Sequence, residues 1–152
     1  MSRFATAGAG FLLAVLWFDL MFDVQVIGKR GVVLPEAILA SIAGYYERVT
    51  SAARPMNRLI AAVMIATLAA LVVEIADAHG RSWAPWASLA LAGAPILLAA
   101  SHTVPGAVRL GSRADPAERQ SALARSILRD HLLCLGLIAA LLVVQLAAPG
   151  LS

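Results

Sequence analysis

Residues 128–148 read LRDHLLCLGLIAALLVVQLAA, and this stretch decides the fold class. From Leu132 onward its side chains are uncharged and almost all apolar. A helix of this length rises about 30 Å at roughly 1.5 Å per residue, which matches the hydrocarbon thickness of a bilayer. Pro149 and Gly150 follow directly, and both residue types end helices. The sequence therefore predicts a transmembrane helix here.

Three further stretches have a similar length and apolar character. They cover residues 8–27, 57–75 and 86–103. Gly93 and Pro95 predict a kink within the third stretch, and Pro105 lies just beyond its predicted end. The chain thus contains four predicted spans.

The overall composition is that of a membrane protein with one domain. Of the 152 residues, 61% are hydrophobic and 14% are charged, whereas soluble domains carry roughly 25% charged residues. Basic loops account for the net charge of +3, so no nucleic acid is expected as a partner. The single cysteine, Cys134, excludes an intrachain disulfide. We predict one transmembrane domain over residues 1–152, an all-α integral membrane bundle of four transmembrane helices plus one cytoplasmic-side amphipathic helix.

The amphipathic helix is predicted over residues 35–53. Pro35 suits a first helical turn, and apolar side chains recur at helical spacing at Ile38, Leu39, Ile42, Tyr45, Tyr46 and Val49. Because the segment is too polar to span a bilayer, we expect it on the cytoplasmic surface or folded under the bundle. Tyr45 and Tyr46 are expected to be interfacial anchors.

The basic residues predict the orientation of the chain. Two groups of five lie around the loops after spans one and three: Lys29, Arg30, Arg48, Arg54 and Arg58, and then Arg109, Arg113, Arg119, Arg125 and Arg129. Only Arg3 and Arg81 remain for the opposite side. Because cytoplasmic loops collect Lys and Arg, residues 28–56 and 104–127 are predicted to be cytoplasmic. We therefore predict a multi-pass cell-membrane protein with both termini on the non-cytoplasmic side.

Ionisable side chains inside the spans carry most of the functional information. Placing one at a helix centre costs roughly 2.5 to 3.5 kcal/mol on insertion scales. Asp19 and Asp23 are four residues apart, so they share one face of the first helix, which we expect to face the bundle interior. The same cytoplasmic third of the bundle is predicted to hold His102, His131, Asn57, Arg58, Arg129 and Asp130.

Three interpretations of this polar layer are open. In the first, Asp19, Asp23, His102 and His131 bind a metal such as zinc or non-haem iron, although the sequence has no HxxH or HExxH spacing. In the second, the same four residues are catalytic acids and bases, and the substrate is bound by Asn57, Arg58, Arg129 and Asp130. In the third, the layer is structural and fixes the helix register. The identity of any cofactor is left unknown, and the sequence requires none.

Three short motifs provide a family resemblance. They are Asp19 with Asp23, the Arg54-Pro55-Met56-Asn57-Arg58 entry to span two, and the Thr103-Val104-Pro105 exit from span three followed by Arg129-Asp130-His131. In these motifs the chain resembles the anthrone oxygenase-like family of small four-helix membrane proteins. That family favours an Asn after the third-span proline and a Trp before the fourth-span His, where this chain has Ala107 or Val108 and Ile127 or Leu128. The resemblance implies oxygenation of a polycyclic phenolic substrate without a bound cofactor.

The functional hypothesis is a small integral membrane protein with a polar pocket near its cytoplasmic face. In it, the pocket serves an oxidoreductase or oxygenase that acts on an apolar phenolic or quinone-like substrate. The alternative is a non-catalytic membrane subunit or assembly factor whose polar layer is structural. Expected partners are the lipid bilayer and an apolar small molecule, with a homo-oligomer or a membrane complex left open.

Overall fold

The computed structural model describes residues 3–52, 54–78 and 82–147, and only the backbone of Arg54. Within these ranges the chain is helical and has no strand. The helices are α1 (Arg3–Asp23), α2 (Glu36–Glu47), α3 (Arg54–Asp77), α4 (Ala84–Leu98), α5 (Val104–Ser112) and α6 (Ala117–Ala147). A 3₁₀ turn at Val24–Val26 extends α1, and π-helical turns follow α2 at Arg48–Ala52 and α4 at Ala99–Thr103.

Four helical segments are long and apolar enough to cross a membrane, which confirms the predicted all-α fold class. They are Arg3–Val26, Pro55–Asp77, Ala84–Ser112 and Ala117–Ala147. Their outer surfaces carry large exposed apolar side chains, among them Trp17, Phe18, Leu97 and Val143. Such a surface would drive association in water, whereas hydrocarbon tails solvate it well. The segments therefore have the lengths and the surfaces of membrane spans.

The four long segments form a ring. Helix α1 packs against α3 and α6, and α4 packs against the same two helices, so α3 and α6 lie diagonally opposite each other. One apolar core fills the ring and includes Leu12, Leu71, Ile138 and Leu141. A second core lies at the end of the bundle where α1 ends and α6 begins, and it includes Leu39, Ile42, Leu110 and Ile127.

Helix α2 belongs to that second core, as the amphipathic pattern predicts. Its buried side chains recur at helical spacing and are Leu39, Ile42, Ala43 and Tyr46. The helix packs chiefly against α5, where Gly111 permits the approach because an added Cβ would lie 2.8 Å from the Glu47 backbone nitrogen. Helix α2 is therefore packed into the end of the bundle and does not merely lie on a surface.

Polar contacts hold the segment between α1 and α2 against α6. The Arg125 guanidinium donates to the carbonyl oxygens of Gly31 and Val32, at 2.7 and 3.0 Å. The Leu34 N–H donates to Ser121 Oγ at 2.9 Å. These contacts fix where α2 begins, and so they fix which of its side chains reach α1.

The third helical segment is longer than the sequence predicts. It does not end at residue 103, because the π-helical turn at Ala99–Thr103 continues into α5. Pro105 lies in the first turn of α5 directly after the π-helical turn, in which the Val104 N–H bonds five residues back to the Ala99 carbonyl. This wider turn accommodates the missing N–H of the proline without ending the helix. The segment ends at Arg113, whose φ of 52° is left-handed. The predicted ends at residues 53 and 148, together with Arg81, Pro149 and Gly150, lie outside the described residues.

Gly8 offers a test of the close packing between α1 and α3. We expect Gly8→Ala to lower the free energy of unfolding by about 1–3 kcal/mol, because the added Cβ would overlap Oγ1 of the buried Thr67. Gly10→Ala is the matched control, since nothing lies within 4 Å of an added Cβ there. Unfolding in detergent, followed by circular dichroism, measures both variants. Equal losses in the two variants would contradict the packing described here.

Candidate functional site

The candidate site begins with the two aspartates of α1. Asp23 is fully buried, and the side chain of Asp19, one turn earlier, is 17% exposed. Both therefore face inward, as their spacing predicts, and they lie near the end of the helix that α2 and α6 cover. A buried carboxylate requires donors or positive charge around it.

His131 of α6 lies between the two carboxylates. Its Nδ1 is 2.6 Å from Asp23 Oδ2, and its Nε2 is 3.8 Å from Asp19 Oδ2. The first distance is that of a strong hydrogen bond, whereas the second is too long for one. The predicted meeting of Asp19, Asp23 and His131 from separate helices is therefore found in the structure.

The two tyrosines of α2 complete the group. Tyr46 donates its hydroxyl to Asp23 Oδ1 at 2.6 Å, and Tyr45 donates its hydroxyl to Asp19 Oδ1 at 2.6 Å. We call these five residues the inner polar cluster: Asp19, Asp23, Tyr45, Tyr46 and His131. The cluster joins α1, α2 and α6, so it forms only when all three are packed together.

The donors and acceptors of the cluster leave one position open. Asp23 as a carboxylate accepts from the Tyr46 hydroxyl and from His131 Nδ1–H, which makes Nε2 of a neutral imidazole an acceptor. This acceptor faces Asp19 Oδ2, which is also an acceptor when it is ionised. Two acceptors that face each other across 3.8 Å require a proton or a hydroxyl group between them. This gap is where the cluster can do chemistry.

The structure does not bring every predicted residue to this cluster. His102 Nδ1 instead lies 2.7 Å from Asp130 Oδ2, with the His102 side chain 57% exposed. Thr103 also donates to that carboxylate at 3.0 Å. His102 and Asp130 therefore form a separate pair, in which the imidazole is exposed and the Asp130 side chain is largely buried.

The predicted substrate-binding arginines also lie elsewhere. Arg58 and Arg129 are both exposed, and they are on α3 and α6, which are diagonal in the ring. Their long side chains can reach the water at the interface, which depth along the helix alone does not reveal. Asn57 donates its amide to the Thr50 carbonyl at 3.0 Å and holds the turn before α3.

The tyrosines are the functional candidates that the sequence alone does not identify. Their pattern predicts anchors at the interface, but each donates to a carboxylate. Two buried carboxylates need donors, and Tyr46 shares its helix face with Leu39 and Ile42. In the sequence, this combination indicates that a tyrosine could donate to a carboxylate. It does not identify which carboxylate accepts.

The metal hypothesis finds no geometric support in the described part of the chain. No three His, Cys, Asp or Glu side chains there are arranged as a metal-binding group. Three of the four carboxylate oxygens in the cluster accept from hydroxyl or imidazole donors, and the fourth, Asp19 Oδ2, faces His131 Nε2. What the arrangement can do is accept, hold and release protons.

The environment of α2 keeps both phenols neutral. Burial, and then the negative charge of Asp19, raise the pKa of Tyr45 well above its usual value. Burial, and then the charge of Asp23, raise the pKa of Tyr46 in the same way. Both side chains are therefore hydrogen-bond donors throughout the physiological pH range.

A second polar group lies in the other half of the bundle. Gln145 Nε2 donates to Ser88 Oγ at 3.1 Å and to Glu74 Oε2 at 3.2 Å, which connects α6, α4 and α3. We call Glu74, Ser88 and Gln145 the outer polar cluster. Its Gln145 Oε1 is buried and has no hydrogen-bond partner within the described residues.

Comparisons with protein-family models, with curated proteins and with solved structures find no match. The function of the chain is therefore inferred from its own geometry.

The two tyrosines allow a direct test, because they are the only tyrosines in the sequence. We expect neither to ionise near pH 10 in the folded protein, and both to do so after unfolding, since their pKa values are raised only in the fold. Because the folded state holds these protons more tightly, stability is unaffected below about pH 10 and falls as the pH rises above it. Tyrosinate absorbance measured against pH in detergent gives the result. Tyr45→Phe and Tyr46→Phe assign the signals, and ordinary titration in the folded protein would contradict the described contacts.

Proposed function

We propose that this chain is a multi-pass membrane protein whose inner polar cluster removes a proton from the hydroxyl group of an apolar phenol or quinol. The observation that carries the proposal is the orientation of His131. A fully buried carboxylate holds Nδ1 at 2.6 Å, so Nε2 faces Asp19 across a gap into which no donor of the described residues reaches. An imidazole held through one nitrogen is suited to act as a base through the other.

The separation of the two atoms suits a bridging hydroxyl oxygen. Two atoms 3.8 Å apart can both lie at about 2.8 Å from a third atom placed to one side of them. A substrate hydroxyl in that position would lie within hydrogen-bond distance of both Asp19 Oδ2 and Nε2, and it could donate its single proton to either of them. In the reaction step the O–H bond breaks, the proton moves to Nε2, and the electron pair stays on the substrate oxygen. The imidazolium formed would be stabilised by Asp19 on one side and Asp23 on the other.

The outer surface of α1 bears on the class of substrate. Trp17, Phe18 and Met21 are all more than half exposed and lie on the outer face of α1, whereas Asp19 points inward and its side chain is 17% exposed. An apolar molecule dissolved in the bilayer would meet this surface before any polar group. The proposal therefore assigns a substrate that partitions into lipid, with a single hydroxyl group able to reach the cluster.

An oxidoreductase or oxygenase activity would use the anion that this step produces. A phenolate gives up electrons more readily than the neutral phenol, and an oxygenation would require dioxygen as the oxidant. The resemblance to the anthrone oxygenase-like family implies such a reaction and stays a prediction. In this proposal the residues of the inner polar cluster carry out the proton transfer.

The second candidate function is a non-catalytic membrane subunit or assembly factor. It is favoured by the hydrogen bonds that the cluster makes within itself and by the outward position of Arg58 and Arg129. In this case the tyrosines would hold α2 in place and nothing would enter the gap.

A coloured phenol distinguishes the two functions. We expect 4-nitrophenol to show a phenolate-to-phenol ratio about tenfold higher with the detergent-solubilised protein than without it, at a pH where the free probe is mostly protonated. His131→Gln and Asp19→Asn should return the ratio to that of empty micelles, because each removes one side of the gap. Visible absorbance measures the phenolate.

His102→Gln is the matched control, because it removes an imidazole that is exposed and paired with Asp130. It should leave the phenolate signal unchanged. If the wild type gives no extra phenolate and His131→Gln only lowers the thermal stability, the structural function is supported instead. An unchanged signal in His131→Gln would contradict proton transfer at this site.

We further propose that residues 28–56 and 104–127 face the cytoplasm and that both termini lie on the other side. Helix α2 contacts α5 and the start of α6, so these two regions lie at the same end of the bundle. Exposed cations at that end include Lys29, Arg30, Arg48, Arg58, Arg119 and Arg129. The excess of basic residues supports a cytoplasmic position.

Two serine-to-cysteine changes test this orientation. Ser82 and Ser112 are both exposed and lie at opposite ends of the α4–α5 segment, while the native Cys134 is buried. We expect an impermeant maleimide to label Ser82→Cys on intact cells and to label Ser112→Cys only after the cells are permeabilised. The reverse pattern of labelling would overturn the proposed topology.

A further inference from the structure

Tyr45 lies in the inner polar cluster in the way that a bound phenol would. Its ring stacks on Phe22 with centroids 4.1 Å apart and planes 9° from parallel. Its hydroxyl donates to Asp19 Oδ1 at 2.6 Å. A flat aromatic face beside a carboxylate acceptor provides both contacts that a phenolic molecule needs for specific binding.

We infer that Phe22 and Asp19 form a binding site for a phenolic ligand, and that Tyr45 occupies this site until such a ligand displaces it. The inference rests on the proposed function, because it names how the substrate class is recognised next to His131. It also assigns a role to Tyr45 that differs from that of its neighbour Tyr46.

The two tyrosines differ in how firmly they are held. Tyr46 is 2% exposed, belongs to the apolar core at that end of the bundle, and donates to the fully buried Asp23. Tyr45 is only partly buried, and its acceptor Asp19 is at the edge of the exposed surface of α1. Tyr45 is therefore the member that can leave without opening the core.

The bilayer interface provides a place for Tyr45 to go. Helix α2 lies at the end of the bundle and outside the four candidate spans, so a rotated Tyr45 would extend toward the headgroup level. Tyrosine is enriched at that level, because one end of its side chain is apolar and the other is polar. Displacement removes the Asp19 hydrogen bond, the stacking on Phe22, the edge contact with the Tyr46 ring and packing at the margin of the apolar core. An incoming phenol restores the hydrogen bond and the stacking.

Displacement of Tyr45 also explains how a substrate hydroxyl reaches the gap. With Tyr45 absent, Asp19 has both carboxylate oxygens free, and one of them already faces His131 Nε2 at 3.8 Å. A ligand whose ring lies on Phe22 would then bring its hydroxyl to the side of Asp19 that borders the imidazole. In the absence of ligand, Tyr45 keeps this carboxylate hydrogen-bonded and away from water.

The test uses 4-methylphenol, which has the atoms of the tyrosine side chain beyond Cα, and 4-methylanisole, in which the hydroxyl is methylated and cannot donate. Protein labelled with fluorotyrosine gives two fluorine NMR signals, one for each tyrosine of the chain. We expect 4-methylphenol to shift the Tyr45 signal of the wild type toward that of an exposed tyrosine. The Tyr46 signal should change less and stay away from the exposed position, because Tyr46 loses only its edge contact with the Tyr45 ring. Tyr45→Phe and Tyr46→Phe assign the two signals.

Binding to Tyr45→Ala gives the affinity in the absence of the competing side chain. We expect this variant to bind 4-methylphenol at least about tenfold more tightly than 4-methylanisole, which is the contribution of roughly one hydrogen bond. Adding Asp19→Asn should remove most of this preference, and the wild type should show the same preference at about tenfold higher ligand concentration. Calorimetric titration, with subtraction of empty micelles, measures each affinity.

Two results would overturn the inference. One is equal binding of the two ligands by Tyr45→Ala, and the other is a wild-type Tyr45 signal that 4-methylphenol does not move. Failure of the proposed function gives a different pattern, in which 4-methylphenol displaces Tyr45 but 4-nitrophenol yields no extra phenolate. If instead phenolate forms in the wild type while the Tyr45 signal stays fixed, proton transfer stands and the displacement of Tyr45 is wrong.

Discussion

The structure depends on the fully buried carboxylate of Asp23, which accepts hydrogen bonds from two elements that are distant in sequence. Tyr46 of α2 and His131 of α6 both lie 2.6 Å from its oxygens. Removing one donor would leave a charged or polar group unpaired in a medium of low dielectric constant, which is far more costly than losing the bond alone. The need to satisfy this one side chain therefore constrains the position of α2 against α1 and α6, together with the packing of α2 on α5.

The same constraint explains why the two carboxylates of α1 have different roles. Asp23 is enclosed and has both oxygens engaged, so it can orient His131 but has no position for a ligand. Asp19 is one turn away, partly exposed, and engaged through one oxygen by a tyrosine that is itself only partly buried. A four-residue spacing on one helix thus places an orienting group and an accessible group side by side.

The sequence predicts the fold well because hydrophobicity along the chain, which is a one-dimensional property, determines most of it. Apolar runs of the length of a bilayer specify the four long helices, and the spacing of Leu39, Ile42 and Tyr46 specifies α2.

Depth along a helix also places Asp19, Asp23 and His131 at one level. Depth does not say which way a side chain points, so it does not reveal that Arg58, Arg129 and His102 lie outside the inner polar cluster. The hydrogen bonds of Tyr45 and Tyr46 depend on how α2 packs against α1, which no local pattern encodes. The sequence also does not reveal that the third segment continues beyond Pro105, because a proline in the first turn of a helix does not end that helix.

The two polar clusters of the bundle bear on whether the chain could be a pathway across the membrane. His131 and Gln145 lie on the same helix, and their separation along it is about 21 Å at 1.5 Å per residue. Between them the buried positions of α6 are Cys134, Ile138 and Leu141, and the last two pack in an apolar core with Leu12 and Leu71. An ion or a proton would have to cross this core without a polar partner, at a cost of several kcal/mol or more. Within the described residues an apolar core therefore separates the inner polar cluster from the outer polar cluster, which argues against a continuous polar pathway between the two ends of the bundle.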